Sequence, residues 1–222
     1  EKATIRRIFQ RYVSPAVVDS LVDNVDDVAL GGRRREISVF FADIRNFSRF
    51  AENSPSERVV EILNHYFSLA VEAILAEQGT LDKFMGDAVM AIFNAPLLQP
   101  DGTLRAARAA LVMQQAITRY NATADHEPLL FGIGIHAGPA VVGNIGAAQQ
   151  MNYTAIGDTV NLAKRLQESA EGGQILLSQA AFEAVQDEVI AEKLGVFEFK
   201  GRASVEQVYR LVGLTAPATA PN

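Results

Sequence analysis

Two aspartates stand where apolar stretches end. Asp43 closes residues 37–44, ISVFFADI, whose β-branched and aromatic side chains fit a buried central strand. Asp87 follows Gly86 within residues 81–93, LDKFMGDAVMAIF. There Leu81, Phe84 and Met85 precede the Gly-Asp step and an unbroken apolar run follows it. The spacing predicts a hairpin, with the glycine supplying the positive φ of a tight turn. If the two strands are neighbours, their carboxylates converge. Paired carboxylates without cysteine or histidine beside them suit a hard, oxygen-seeking cation such as Mg²⁺, commonly shared with substrate phosphates. Asp43 alone also fits as the cap of a helix from Asn46 onward.

A second polar set lies further along. Asn161 and Arg165 are i and i+4 on a helix predicted over 159–170, so they share a face. An amide beside a guanidinium makes an anion site, because arginine offers a fixed fork of donors that matches phosphate; a solvated surface pair is the competing reading. Lys83, four residues before Asp87 on the other arm of the hairpin, reads by itself as an exposed strand lysine, and His136 as a core histidine. No GxxxxGK[ST], HExxH or GxSxG run occurs, which removes the P-loop, zincin and α/β-hydrolase classes.

The elements that must carry these groups can be read in order. Residues 4–12 put Ile5, Ile8, Phe9 and Tyr12 on one helical face, and Ser14-Pro15 predicts a second helix to about Val22 with serine as its cap. Residues 23–27 and Gly31-Gly32 read as linker. Residues 1–34 thus form either a connector from something upstream or a helical decoration of the domain. A helix with Ser54 as cap, Pro55 at its first position and Glu57 closing a capping box runs to Gly79. After the hairpin come a loop over 96–102 and a helix over 103–120. Strands are predicted at 129–136 and 140–145, linked through Gly138-Pro139, then a loop over 146–152 and a strand at 153–156. The 159–170 helix, a strand at 174–177, a helix at 179–185, strands near 196–200 and 207–212 and a frayed tail over 214–222 complete the chain. Strands mixed with helices on one side predict an α+β sandwich with a mixed sheet.

Composition bounds the function. With 222 residues, 49% hydrophobic and 21% charged, the chain can bury a substantial core as one domain with flanking pieces. A net charge of −6 argues against bulk electrostatic binding to nucleic acid, though not against a small anion held by a few placed cations. The absence of cysteine excludes disulfides and thiolate metal sites and fits a reducing cytoplasm. No apolar run approaches the roughly 20 residues that span a bilayer, so this stretch is expected to be soluble. A start at Glu1 suggests a piece of a longer protein.

Taken together, five runs stop looking independent. FFADIRNFS (40–48), DKFMGDAVMAIF (82–93), GIGIHAGPAVVGNIG (132–146), YTAIGDTVNLAKRLQ (153–167) and FKGR (199–202) resemble, in order and spacing, the class III nucleotidyl cyclase catalytic domain. The likeness covers about residues 35–213, and implies a ferredoxin-like, palm-like sandwich with a mainly antiparallel sheet. It implies that Asp43, Asp87 and the Ile44 carbonyl bind two divalent ions, Mg²⁺ or Mn²⁺, and that backbone N–H groups around Phe47 and Ser48 cradle the terminal phosphates. Lys83 and Thr154 occupy the purine-reading positions. Lysine there favours adenine, through a hydrogen bond with a ring nitrogen, where guanylate-specific relatives carry an acid. Asn161 would orient the ribose, Arg165 would meet charge at the α-phosphoryl group and Lys200 the outer phosphates. Many relatives have aspartate at position 154; threonine marks a subset that includes bicarbonate-responsive bacterial enzymes, and its hydroxyl can accept or donate.

The activity implied is adenylate cyclase: attack of the ribose 3′-hydroxyl on the α-phosphorus of ATP, releasing pyrophosphate and 3′,5′-cyclic AMP. The family's sites lie between two subunits, so a chain with both residue sets is expected to form a head-to-tail homodimer, driven by an upstream regulatory domain. Competing readings are guanylate cyclase, another paired-acid enzyme such as a diguanylate cyclase or polymerase palm, and a silent dimerisation module. No GGDEF-like run is present, and no acid or member of the Asn/Arg pair is lost.

Overall fold

The computed structural model describes residues 13–23, 29–201 and 204–215, without the side chains of 21–23. The helical face expected over 4–12, most of the expected linker and the tail beyond 215 lie outside the described residues. Eight strands form one sheet: β1 (Gly31–Ile44), β2 (Thr80–Met85), β3 (Ala88–Phe93), β4 (Phe131–Ala147), β5 (Gln150–Ile156), β6 (Ile175–Ser178), β7 (Val189–Phe197) and β8 (Glu206–Leu214). Their order is β2-β3-β1-β4-β6-β8-β7, with β5 also on β4. Among the described pairings only β4 with β6 is parallel, the mixed, mainly antiparallel sheet expected. The helices are α1 (Pro15–Asp23), α2 (Phe47–Glu52), α3 (Ser56–Ala76), α4 (Gly102–Asn121), α5 (Asp158–Ser169) and α6 (Gln179–Val185).

Strand alternation divides β1 between two cores. Phe40, Ala42 and Ile44 pack with Ile62, Tyr66 and Ala70 of α3, the alanine-rich face of α4, and Ala181 and Val185 of α6. Val39 and Phe41 face the other way, with Met90, Val142, Ala155 and Ala163 of α5. Helices therefore cover both faces, not one. Strand β4 shows why α5 can lie so close. Phe131, Ile133 and Ile135 fill the larger core, whereas Gly132 and Gly134 alternate onto the α5 face. A Cβ on Gly134 would stand 2.3 Å from the Gln167 nitrogen and 2.6 Å from the Ala163 carbonyl oxygen. Backbone packs directly on backbone there.

Several boundaries differ from the sequence reading. The residues expected as two strands around Gly138-Pro139 are one strand. Pro139 falls where β4 has only β1 beside it, between its ladders with β6 and β5. Its carbonyl accepts from Thr159 Oγ1 at 2.6 Å, so its nitrogen also faces away from β1 and the missing N–H costs no ladder bond. The loop expected over 146–152 is mostly paired, out to Ala147 opposite Gln150. β7 starts at Val189, well before 196, and Leu214 and Thr215 are held, the latter by its N–H to the Glu188 carbonyl at 2.9 Å. Neither expected serine cap forms. Pro55 is the N-cap of α3 and gives no side-chain bond, and the Ser14 hydroxyl has no partner while its carbonyl accepts from Val17 and Val18. α3 is also long and apolar enough to cross a membrane by length and composition, against the expectation from unbroken runs. It packs Ile62, Tyr66 and Ala70 on the sheet.

Two stability outcomes follow from this packing. Gly134→Ala should lower the unfolding free energy by about 1–3 kcal/mol or more, read from urea melts, because neither clashing atom belongs to a flexible side chain. Tyr66, fully buried, donates to Asn121 Oδ1 and accepts from the Leu129 N–H at 3.3 Å. Burial first, then the nearby Tyr120, pushes its hydroxyl up to about 12. The unfolded chain gives up this proton near an ordinary pH of about 10, so the group's contribution is complete below that and is lost as pH rises towards 12. Tyr66→Phe should cost about 1–2 kcal/mol at neutral pH, and the gap to the parent should narrow between pH 10 and 12.

Candidate active site

The sheet brings the two sequence-predicted acids together. β1 and β3 are antiparallel neighbours with Asp43 opposite Ala88, and Gly86, at φ 61°, turns the β2–β3 hairpin beside them. The Ile44 N–H donates to the Asp87 carbonyl at 3.3 Å, which ties the turn to the end of β1. Asp43 shares the strand parity of Val39 and Phe41, so its side chain belongs to the face that α5 covers. It is not a helix cap; Asn46, at φ 59°, precedes α2. Phe47 and Ser48 form the first turn of that short helix, directly after the β1 end.

Asp43 sits in a polar pocket of uneven charge. Its side chain is 25% exposed and Arg45 Nη1 lies 3.3 Å from Oδ1, yet Oδ1 is buried with no hydrogen-bond partner. Burial pushes this carboxyl above its ordinary range; Arg45 and the Gln167 side chain pull it back, and Asp87 and Glu168 push it further up. Arg45 is itself held, donating through Nη2 to the Gln167 carbonyl, and its guanidinium lies where a side chain on Gly132 would be. A buried carboxylate oxygen without a donor, beside a second carboxylate, is a donor set that fits a hard divalent cation.

Lys83 and Thr154 also meet, through a residue that sequence reasoning passed over. The β2–β3 register shifts between Leu81 and Lys83, a bulge that breaks the strict alternation of side chains. Asp82, its side chain 1% exposed, accepts from Thr154 Oγ1 through Oδ2, and Lys83 Nζ lies 3.5 Å from Oδ1. Burial pushes this carboxyl up, while the Thr154 bond and Lys83 pull it back. Thr154 reaches this point because β5 extends the far half of β4 and folds over the second core, where Ala155 joins Phe41 and Met90.

The third group is on α5. Asn161 is exposed and Arg165 half-buried on the side away from the core. The Arg165 guanidinium lies against Gly201, whose notional Cβ would be 3.5 Å from Nη2; the neighbouring Lys200 is exposed in the same turn. Among the described residues, no hydrogen bond or ion pair links Asn161, Arg165 or Lys200 to Asp43 or Asp87. One chain thus brings the acids together and joins Lys83 and Thr154 through Asp82, while Asn161, Arg165 and Lys200 form a third group. Asp82, Arg45 and Gln167 had no role in the sequence reading. A bulge and a helix pressed onto glycines leave no mark in periodicity.

Comparison with known proteins is consistent over most of the chain. The family model described as "Adenylate and Guanylate cyclase catalytic domain" matches residues 32–213. Adenylate cyclase 1 of Rhizobium meliloti (strain 1021) is 36% identical over 214 residues, 93% of this chain but 32% of that protein, so the chain spans about a third of that relative's length. The crystal structure of the adenylyl cyclase CyaB from P. aeruginosa superposes with a TM-score of 0.79 at 32% identity, covering 86% of this chain and 100% of that one. The guanylyl cyclase Cya2 gives 0.80 at 36% identity, covering 85% and 98%. Similarity of this order accompanies either base.

Proposed function

The chain belongs to the family of class III adenylate and guanylate cyclase catalytic domains, and on that premise we propose that it converts ATP to 3′,5′-cyclic AMP and pyrophosphate. The observation that carries the choice of base is the Lys83–Thr154 pair at the Asp82 bulge. An ammonium donates and a hydroxyl oxygen can accept. Adenine offers the matching edge, a ring nitrogen that accepts and an amino group that donates; guanine offers an N–H and a carbonyl in the reverse order.

In this reading the ribose O3′ forms a bond to the α-phosphorus as the bond from that phosphorus to the bridging oxygen of pyrophosphate breaks, and the hydroxyl proton passes to water or to the substrate's own phosphates. Asn161 holds the ribose so that its 3′-hydroxyl points along that line. Arg165 meets the charge that grows on the α-phosphoryl oxygens, and Lys200 the outer phosphates. Backbone N–H groups at Phe47 and Ser48 receive the terminal phosphates. Asp43, Asp87 and the Ile44 carbonyl would hold two divalent cations, Mg²⁺ or Mn²⁺, which acidify the attacking hydroxyl and neutralise the leaving phosphates. No described hydrogen bond or ion pair joins Asn161, Arg165 or Lys200 to the acids within one chain, and in this reading the site is shared: a head-to-tail homodimer places the acids of one protomer against the second group of its partner, twice over. Residues 1–34 would be the connector to an upstream regulatory domain, and 35–213 the output domain, working in the cytoplasm.

The deciding assay follows product from ATP and, in parallel, from GTP with Mg²⁺ or Mn²⁺ over a range of protein concentrations. Cyclic AMP, formed at a rate that climbs faster than linearly with protein, is the expected result. Cyclic GMP as the main product would make it a guanylate cyclase, and no product from a folded dimer would leave an interaction module. Mixing inactive Asp43→Ala and Arg165→Ala chains should restore about a quarter of the parental sites by random pairing under two-fold symmetry; heterodimers without activity would count against shared sites. Mn²⁺ should raise the melting temperature of the parent but not of Asp43→Asn or Asp87→Asn, since a ligand bound only by the folded state stabilises it.

A further inference from the structure

We propose that Asp82 is the residue that sets base selectivity, by fixing the direction of the Thr154 hydroxyl proton and the place of the Lys83 ammonium. The inference rests on the reading of Lys83 and Thr154 as the base-reading pair. A threonine hydroxyl is ambiguous: it can accept from the amino group of adenine or donate to the carbonyl of guanine. Here Oγ1 donates to Asp82 Oδ2, and a hydroxyl has one proton. What remains for a base is lone pairs, an acceptor only. The arrangement converts an ambidextrous side chain into one that adenine satisfies and guanine opposes.

Asp82 is buried and faces both groups at once. Its side chain is 1% exposed, so its carboxylate is not there for solubility. In a regular strand, residues 82 and 83 would point to opposite faces; the register shift between Leu81 and Lys83 lets the two side chains lie 3.5 Å apart on one side. Asp82 Oδ1 is buried beside the ammonium, and the carboxylate also takes a backbone hydrogen bond from Ala155. Thr154 is 7% exposed and cannot easily turn its proton to water, whereas Lys83, at 42%, keeps donors free for a ligand. Two base-facing groups from strands at different edges of the sheet are therefore referenced to one buried carboxylate. Leaving a buried polar group of a site unmatched is costly for the wrong ligand.

The test compares kcat/KM for ATP and GTP in the parent, Asp82→Asn, Asp82→Ala and Thr154→Ser, with folding and dimerisation checked by circular dichroism and sedimentation. Asp82→Asn can donate to Thr154 and release its proton towards the base, so the ATP:GTP ratio should fall about tenfold or more, the worth of one hydrogen bond to a charged group. Thr154→Ser, which keeps the hydroxyl, should keep the ratio. In a Thr154→Val background Asp82→Asn should no longer move it. A carboxylate that merely braces β5 against β2 would lower the rates for both nucleotides and leave the ratio alone, and a folded Asp82→Asn dimer with a ratio within about twofold of the parent would overturn the proposal. Should the Asp82 variants not fold, the unmodified protein serves: 6-methoxypurine riboside triphosphate, whose 6-position only accepts, should compete with ATP several-fold more weakly than purine riboside triphosphate, and equal or tighter competition overturns the lock. A parent that cyclises neither ATP nor GTP would instead remove the cyclase reading on which this one rests.

Discussion

At Gly134 helix α5 lies on β4 with no side chain between them, because this stretch of the strand alternates large residues into one core and glycine onto the other face. The seat is narrow: a single methyl at Gly134 would overlap the helix backbone. Two of the polar groups in the candidate site are placed relative to this contact. The seated side of α5 carries Gln167 to Arg45, and so to Asp43. The far side carries Asn161 and Arg165 outwards. A helix held only by side-chain interdigitation can shift by an ångström when a neighbour changes; one seated on backbone can do so only by moving the strand. The rigidity that a phosphoryl-transfer site needs is thus supplied by what β4 lacks.

The same economy governs the two buried carboxylates. Asp43 and Asp82 each sit beside one cation, and each has an oxygen with no hydrogen-bond partner. For both, burial pushes the carboxyl up and the neighbouring cation does not fully offset it. Groups placed this way weaken a fold more than they hold it together. The large apolar core beneath them, with α3, α4 and α6, is what permits the expense. Asp43 keeps an oxygen without a hydrogen bond beside Asp87, and Asp82 faces Thr154 and Lys83. The two acids are alike in burial and differ in what they face.

How much of this was legible in the sequence depended on range. The hairpin and the Asp43 strand followed from local signals: glycine before Asp87, unbroken apolar runs, β-branched residues; that β1 and β3 are neighbours was a condition that only the sheet supplies. The family likeness rested on motifs that keep their spacing. What escaped was whatever depends on a partner far along the chain. Pro139 looked like a break because its nitrogen cannot donate, and only the sheet shows that this nitrogen faces a gap between two ladders. Asp82 looked like one charge among three in the hairpin, and only the bulge and the fold-over of β5 bring Thr154, 72 positions away, to its carboxylate. Serine before proline suggested caps twice, and in both cases the first helical N–H groups bond to a backbone carbonyl, of Ser14 or of Pro55, and not to the hydroxyl.

The separation of polar groups within one chain gives the proposed dimer its physical sense. A site built wholly inside one subunit would have to bring Asp43, Asp87, Lys83, Asn161, Arg165 and Lys200 to one cleft and bury them together, with the repulsions and desolvation that implies. Here two of the clusters are partly satisfied by themselves: Asp43 by Arg45, and Lys83 with Thr154 by Asp82. Dividing them between faces lets the isolated chain fold around an ordinary apolar core, and leaves assembly of the reacting geometry to association. Small relative rotations of two rigid protomers would then move one cluster against another without disturbing either, which is the kind of change an attached upstream segment can drive. In the proposed dimer, control by subunit packing would act through that division, as rotation of subunits about an interface does in other switching assemblies.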